Sequence, residues 1–175
     1  MTTPILETKR LILRPGKVSD AQAVFNNWTS DPDVAEFMRW STHSSIDQTI
    51  AWLTDAEANV SDEKSYDWLF VQKETNAPIG SGGIYYNETQ GMFEVGYGLM
   101  KQCWGMGYVT EAARAIQKFA ICELNQTKLY ACHAMENPAS GKILEKLGFV
   151  YTGDGEYSSF DGKRTFKSRG YLWSA

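Results

Sequence analysis

The sequence predicts one α/β (α+β) domain over residues 1–175, a single mixed, largely antiparallel twisted sheet flanked by helices. Three observations lead there. Helical and strand periodicities are interleaved along the chain rather than segregated. No internal repeat, low-complexity tract or linker rich in Pro, Gly and Ser divides it. With 43% hydrophobic and 22% charged residues over 175 positions, the composition is that of an ordinary globular chain, long enough to bury a core without disulfides or a structural metal.

Arg10-Leu11-Ile12-Leu13-Arg14, closed by Pro15, reads as a first strand. Ser19 with Gln22 has the spacing of a capping box and predicts a short helix through Trp28, broken at Asp31-Pro32. A second capping box, Ser45 with Gln48, precedes Ile46, Ile50 and Leu53 on one helical face, out to about Val60. From Tyr66 the period changes: Trp68, Phe70 and Val71 lie in a β-rich run that ends at Glu74-Thr75-Asn76-Ala77-Pro78. Ile79 to Tyr86 and Met92 to Met100 then form a hairpin around Asn87 to Gly91.

Val109, Ala112, Ala113, Ile116 and Ala120 mark an amphipathic helix running to Cys122, and Leu129 to Met135 another strand. Asn137 as N-cap, Pro138 in the first turn and Gly148 just past the end bracket a helix with Ile143, Leu144 and Leu147 inward. Two last strands meet at the turn signal Asp161-Gly162. The helix over Val109 to Cys122 is a crossover, so the strands on either side of it are predicted parallel, with a ligand cleft where the helix begins.

Net charge is −4, which argues against a general nucleic-acid binder. Residues 1–100 carry −7 and residues 101–175 carry +3, a division that suits ligands of different charge or simply two solvated faces. No apolar run approaches the roughly 20 residues of a bilayer span, and residues 1–10 lack the apolar stretch of a signal peptide. The expectation is a cytoplasmic protein that does not enter membranes. Cys103, Cys122 and Cys132 have neither metal-ligand spacing nor a partner pattern and read as reduced thiols, with no metal expected.

Gln102-Cys103-Trp104-Gly105-Met106-Gly107 follows a strand and opens a helix. Two glycines there permit close backbone approach and positive φ, so the amides of Gly105 to Val109 can converge on a phosphate. A tight turn explains them equally well. The segment has neither the Gly-Lys-Ser/Thr ending of a P-loop nor the three-glycine dinucleotide spacing.

This segment resembles the signature of the GNAT superfamily of acyl-CoA-dependent N-acetyltransferases, Gln/Arg-x-x-Gly-x-Gly/Ala. Gly107-Tyr108-Val109-Thr110-Glu111-Ala112, Asn137-Pro138-Ala139-Ser140 and Leu144-Glu145-Lys146-Leu147-Gly148-Phe149 resemble further motifs of that superfamily in the same order. Arg10 to Arg14 and Glu94-Val95-Gly96-Tyr97 are similar to the branch of ribosomal-protein-alanine acetyltransferases. The resemblance runs from about Thr8 to the C-terminus and implies a GNAT-like acyl-CoA N-acyltransferase fold.

The resemblance further implies acetyl-CoA as cosubstrate, with main-chain groups of Leu99 and Met100 pairing with the pantetheine amides. Gln102, Trp104, Gly105, Met106, Gly107, Tyr108 and Val109 would surround the pyrophosphate. Asn137 would reach the pantetheine arm as well as cap its helix, and Lys142 or Lys146 would approach the adenosine phosphates or simply face solvent. The acceptor would be a primary amine, either a peptide or protein N-terminal α-amine or a small amine, held by Glu36, Phe37 and Trp40. Monomer and homodimer both stay open.

Transfer requires a neutral amine, and an α-amine has a pKa of about 7.7 to 8.0. Glu94, on the strand before the glycine loop, is the candidate base, with His133 as the alternative. Ser140 is placed by the Asn-x-x-Ser pattern where a donor would meet the departing thiolate; at the third helical position it can instead cap backbone amides. Cys103 has no neighbouring histidine in sequence to make it a nucleophile. A second reading stands beside the enzyme: a non-catalytic acyl-CoA-binding sensor or scaffold. The acid/base pair Glu94 and Ser140 separates the two.

Overall fold

The computed structural model describes all residues 1–175. Eight strands make one sheet in the order β1-β2-β3-β4-β5-β6-β8-β7. They are β1 (Leu6–Glu7), β2 (Leu11–Arg14), β3 (Ser65–Gln72), β4 (Ala77–Asn87), β5 (Met92–Leu99), β6 (Lys128–Ala134), β7 (Val150–Ser158) and β8 (Thr165–Ser174). The helices are α1 (Ala21–Val24), continued by a π turn over Phe25–Thr29, α2 (Pro32–Ala35), α3 (Ile46–Ala58), α4 (Tyr108–Cys122) and α5 (Pro138–Lys146). No helix is long and apolar enough to cross a membrane.

Side chains alternate between the faces of the sheet, so each strand feeds two cores. Trp68 and Phe70 of β3 pack with Phe93, Val95 and the α4 residues Ala112, Ile116 and Phe119. Leu69 and Val71, one residue out of phase, pack with Val24, Trp28 and Leu53 of the N-terminal helices. Burying each of these large apolar side chains contributes about 1.5–3 kcal/mol against leaving it in water. The period-two switch in one strand thus seats helices on both faces.

All strand pairs but one are antiparallel; β5 and β6, joined through α4, run parallel and are bridged only at Glu94 opposite Tyr130. Towards the C-terminal end of β5, where α4 and α5 begin, the two strands no longer pair with each other, though each keeps its outer neighbour. The resulting fork opens a cleft in the middle of the sheet. The parallel crossover expected from the sequence is present.

Three local expectations are corrected. The first helix is not opened by Ser19 and Gln22. Arg14 holds Asp20 in a two-point ion pair (2.8 and 2.7 Å) while Asp20 accepts from the Lys17 amide (2.9 Å), so the cap forms two residues earlier, at Lys17. Pro78 is inside β4 rather than in the preceding turn; it pairs with Val71 beside a register shift between Phe70 and Val71, where its missing N–H is tolerated. Asp161-Gly162 is not a two-residue hairpin. It sits within a longer loop, because Asp161 accepts from the Ser159 hydroxyl (2.6 Å) and the Lys163 amide (3.1 Å), and Gly162 takes φ +70°. By contrast, Gln48 does serve α3 as expected, its side-chain oxygen accepting from the amides of Ser44 (2.6 Å) and Ser45 (3.3 Å).

Candidate active site

One cavity of about 1040 Å³ follows the fork. It is lined by Glu36, Phe37, Trp40, Glu94, Leu99, Trp104, Gly105, Gly107, Tyr108, Val109, Asn137, Ser140 and Lys142, whereas Met100, Gln102 and Met106 stay outside its lining. Its two ends differ in construction.

At the α4 end, Gln102 and Cys103 lie in a short 3-10 turn, and the chain then takes two left-handed steps, Gly105 at φ +74° and Gly107 at φ +79°. A side chain at either position would be strained. Nothing stands within 4 Å of where a Gly105 side chain would begin, and at Gly107 only the Arg10 guanidinium comes near, at 3.6 Å. Gly107 is the N-cap of α4 and brings no side chain to its first-turn amides, which stay available as donors at the positive end of the helix. Tyr108 and Val109 are buried in the core and offer the cleft their main chain. An open glycine cradle ahead of uncapped amides fits an anionic phosphate group.

Arg10 braces this loop from below. Its Nε donates to Glu111 Oε2 (2.7 Å), its Nη1 to the Met106 carbonyl (2.9 Å), and its guanidinium stacks 4.0 Å from the centre of the Tyr108 ring. Thr8 Oγ1 donates to Glu111 as well (2.6 Å). Partial burial pushes the Glu111 carboxyl up, but the bonds from Thr8 and Arg10 outweigh it and hold the group below its ordinary value. Sequence reasoning placed Arg10 only in a strand; no local signal ties it to a loop some hundred residues later.

The main chain of Met100 already has partners. Its N–H donates to the Ile79 carbonyl (2.8 Å), which leaves that donor engaged, and its carbonyl accepts from the Cys103 amide (3.0 Å), which leaves one lone pair for a further donor. The neighbouring Leu99 faces the other way by the strand alternation. Its carbonyl accepts from the indole Nε1 of Trp104 (2.8 Å), a side chain that is 48% exposed. Trp104 therefore sits on the carbonyl the resemblance reserves for the cosubstrate.

Across the fork, Asn137 holds the N-cap position of α5, yet its side chain makes no capping hydrogen bond. Ser140 Oγ lies 3.2 Å from the hydroxyl of Tyr97, which also donates to the Ser140 carbonyl (3.2 Å). Tyr97 was not singled out from the sequence. Burial pushes its phenol above the ordinary value, so it stays protonated as a donor. Lys142 and Lys146 are exposed. Lys146 also borders a second, shallower depression of about 570 Å³ with Lys9, Arg114 and Lys118.

At the other end stands Glu94, 4% exposed. Its Oε2 accepts from Asn87 Nδ2 (2.6 Å), and its Oε1 accepts from Arg39 (3.4 Å) and the Cys132 thiol (3.5 Å). Burial first, and then the carboxylate beside it, push the Cys132 thiol up to about 12, which leaves it an unreactive neutral donor. Burial likewise pushes the Cys103 thiol up. His133 is one residue from Cys132 and therefore points to the opposite face from Glu94. There it is buried, with Nδ1 against the Ala134 carbonyl (2.7 Å), Nε2 against the Tyr171 hydroxyl (3.4 Å), and Gly141 packed so closely that a side chain there would come within 2.6 Å of the ring. Its hydrogen bonds are those of a core histidine, and the residue also lines the cavity.

Glu36, Phe37 and Trp40 lie on the segment after α2, which forms the wall opposite Glu94. The Glu36 side chain is exposed, Phe37 and Trp40 half-buried. Arg39, in their midst, is the residue that faces Glu94, and its guanidinium also lies 4.9 Å from the centre of the Tyr157 ring. Burial disfavours its charge, yet Tyr85, Glu94 and Cys132 around it raise its pKa above the ordinary value. The cavity thus joins a main-chain anion cradle to a buried carboxylate flanked by hydrogen-bond donors.

This geometry agrees with what the chain is related to. Residues 10–150 match the acetyltransferase (GNAT) domain family, and the chain belongs to that family of acetyl-CoA-dependent acyltransferases. YkkB, an uncharacterised protein of Bacillus subtilis, is 32% identical over 84% of this chain and 86% of its own length. YoaA of the same organism, an uncharacterised N-acetyltransferase, is 28% identical over 86% of this chain and 85% of its own. Among solved structures, a GNAT-family acetyltransferase from Bacillus anthracis superposes with a TM-score of 0.81 at 20% identity, covering 98% of both chains. A Vibrio cholerae protein provisionally assigned as a ribosomal-protein-serine acetyltransferase reaches 0.86 at 18% identity over the whole of both chains.

Proposed function

We propose that this protein transfers an acetyl group from acetyl-CoA directly to a primary amine, either the N-terminal α-amine of a peptide or protein or a small amine. The observation that carries the reading is the single cavity that joins the glycine cradle to Glu94 by way of Ser140. A sensor would need the cradle alone. The fork, with its free first-turn amides at α4 and the uncommitted side chain of Asn137, suits a long ligand with an anionic end.

Acetyl-CoA supplies the activated thioester. The main chain of Gly105 to Val109 holds the anionic part, Leu99 and Asn137 hold the arm, and Lys142 or Lys146 faces the adenosine phosphates. Leu99 becomes available once the Trp104 indole leaves its carbonyl. Phe37, Trp40 and Glu36 receive the amine. Glu94 accepts its proton, directly or through one water, with Asn87 and Arg39 fixing the carboxylate orientation. Ser140 and Tyr97, paired at 3.2 Å, present a hydroxyl donor to the departing thiolate. A thiol pKa of about 8.5 makes that leaving group receptive to such a donor near neutral pH.

The test is release of free CoA from acetyl-CoA, read with a thiol reagent, across peptides with free and blocked N-termini, polyamines, aminoglycosides and amino acids. Amine-dependent release that disappears when the amine is blocked is the expected result. Acetyl-CoA binding without release for any primary amine would favour the sensor.

A further inference from the structure

We propose that Arg164 is the positioning residue of the acceptor wall, gathering the main chain of residues 35–40 onto one guanidinium so that Arg39 and Trp40 face the cavity. The inference rests on reading that wall as the acceptor side.

The geometry is unusual in its economy. Nη1 donates to the carbonyls of Ala35 (3.1 Å) and Glu36 (3.1 Å), and Nη2 donates to those of Met38 (3.0 Å) and Trp40 (2.8 Å). Four terminal N–H bonds thus meet four carbonyls. Only the planar fork of arginine can do this, since a lysine ammonium has three donors at one point. Two of the carbonyls, those of Ala35 and Glu36, lie at the C-terminal end of α2, a helix of one turn, where the Ala35 carbonyl also accepts from the Met38 amide (3.1 Å). With the carbonyls turned in on the guanidinium, the side chains of Arg39 and Trp40 line the cavity.

Arg164 is itself held. Its guanidinium lies 5.4 Å from the centre of the Phe166 ring, and its amide donates to Ser159 Oγ (3.0 Å), which anchors the loop between β7 and β8. That loop and the end of β7 add further bonds to the same wall: the Phe160 amide of the loop to the Arg39 carbonyl (2.7 Å) and the Tyr157 hydroxyl of β7 to the Phe37 carbonyl (2.6 Å). Arg39 in turn contacts Glu94. Arg164 touches no reacting group; it acts through the wall, and none of its contacts reaches the glycine cradle.

The experiment compares the parent with Arg164→Lys and Arg164→Gln by amide hydrogen exchange, by acetyl-CoA titration and by steady-state kinetics with an accepted amine. Expected are faster exchange confined to residues 35–41, an acceptor KM raised about tenfold or more, and an acetyl-CoA Kd within about twofold of the parent. Unchanged exchange at 35–41 would overturn the proposal. So would a loosened wall with unchanged acceptor KM, an acetyl-CoA Kd that rises in step with the KM, or exchange that rises through the whole sheet, which would make Arg164 a general stabiliser. If the parent itself transfers to no amine, the acceptor reading fails, and the exchange measurement still decides whether Arg164 holds the wall.

Discussion

At one end of the cavity, Gly105 and Gly107 leave main-chain amides facing an open cradle, with almost nothing a side chain could touch. At the other, a 4% exposed carboxylate is enclosed by side chains from the two neighbouring strands and a loop: Asn87 and Tyr85 of β4, Cys132 of β6 and Arg39 converge on Glu94. The first end is built from backbone and tolerates any ligand with the right anion; the second is built from side-chain chemistry and selects. Changes at the glycines should therefore alter donor binding, and changes around Glu94 should alter chemistry or acceptor choice.

The largest effect is expected at Glu94. Glu94→Gln preserves volume, and its turnover should fall about 10²- to 10⁴-fold, the range of a lost general base. The deficit should be greatest below the amine pKa of about 8 and shrink as pH rises, because a more alkaline medium supplies neutral amine without help. A pH–rate profile of parent and variant checks this. Parallel profiles would remove Glu94 from the base role.

Gly107→Val comes next. The left-handed φ of +79° disfavours a β-branched residue, and the side chain would crowd the Arg10 guanidinium that braces the loop, 3.6 Å from its first carbon, so the cradle should distort and acetyl-CoA affinity fall about tenfold or more. The thermal shift that acetyl-CoA produces in the parent should shrink with it. Circular dichroism confirms that the variant is folded. Full affinity in a folded variant would move the phosphate site elsewhere.

Ser140→Ala and Tyr97→Phe each leave one hydroxyl of the pair. Each should therefore slow transfer less than the double variant, for which about 10²-fold is expected from loss of a general acid. A double-mutant cycle measures the coupling; strictly multiplicative effects would mean that the two do not share a task.

A smaller and opposite effect is expected at Trp104. Trp104→Phe removes the indole N–H from the Leu99 carbonyl, a bond worth about 0.5–1.5 kcal/mol net. Acetyl-CoA should bind the variant more tightly, by up to about tenfold. Weaker binding in calorimetry would show that the indole assists the ligand instead.

The smallest effect concerns pH. Glu111 has a folded pKa below its ordinary value, so the stability it contributes is present above the unfolded pKa of about 4.3 and is lost as pH falls through the folded one. Arg10→Ala should lower the melting temperature at neutral pH, and the difference from the parent should narrow below about pH 4. A constant difference across that range would assign the role of Arg10 to packing on Tyr108.

The same division explains what the sequence disclosed. Gln102 to Gly107 are consecutive, so their spacing carries the cradle without knowledge of the rest of the fold. The acceptor wall is assembled at long range: Arg39 meets Glu94 from 55 residues away, and Arg164 reaches the Met38 carbonyl from 126 residues away. No local pattern announces such contacts. Tyr97 was missed for a related reason, since its hydroxyl meets Ser140 only after α5 is folded back onto the sheet. The misread helix start shows the reverse error. Ser19 and Gln22 have a capping spacing, but Asp20, two-point bonded to Arg14, takes the cap first.

The claim at the centre is that donor binding does not depend on the acceptor machinery. Calorimetric titration of acetyl-CoA into a variant carrying Glu94→Gln and Arg39→Ala together tests it most directly, because removing both members leaves no buried charge unpaired. The account predicts an acetyl-CoA Kd within about twofold of the parent together with loss of amine-dependent CoA release. A tenfold or greater loss of acetyl-CoA affinity in the folded double variant, about 1.4 kcal/mol, would contradict it.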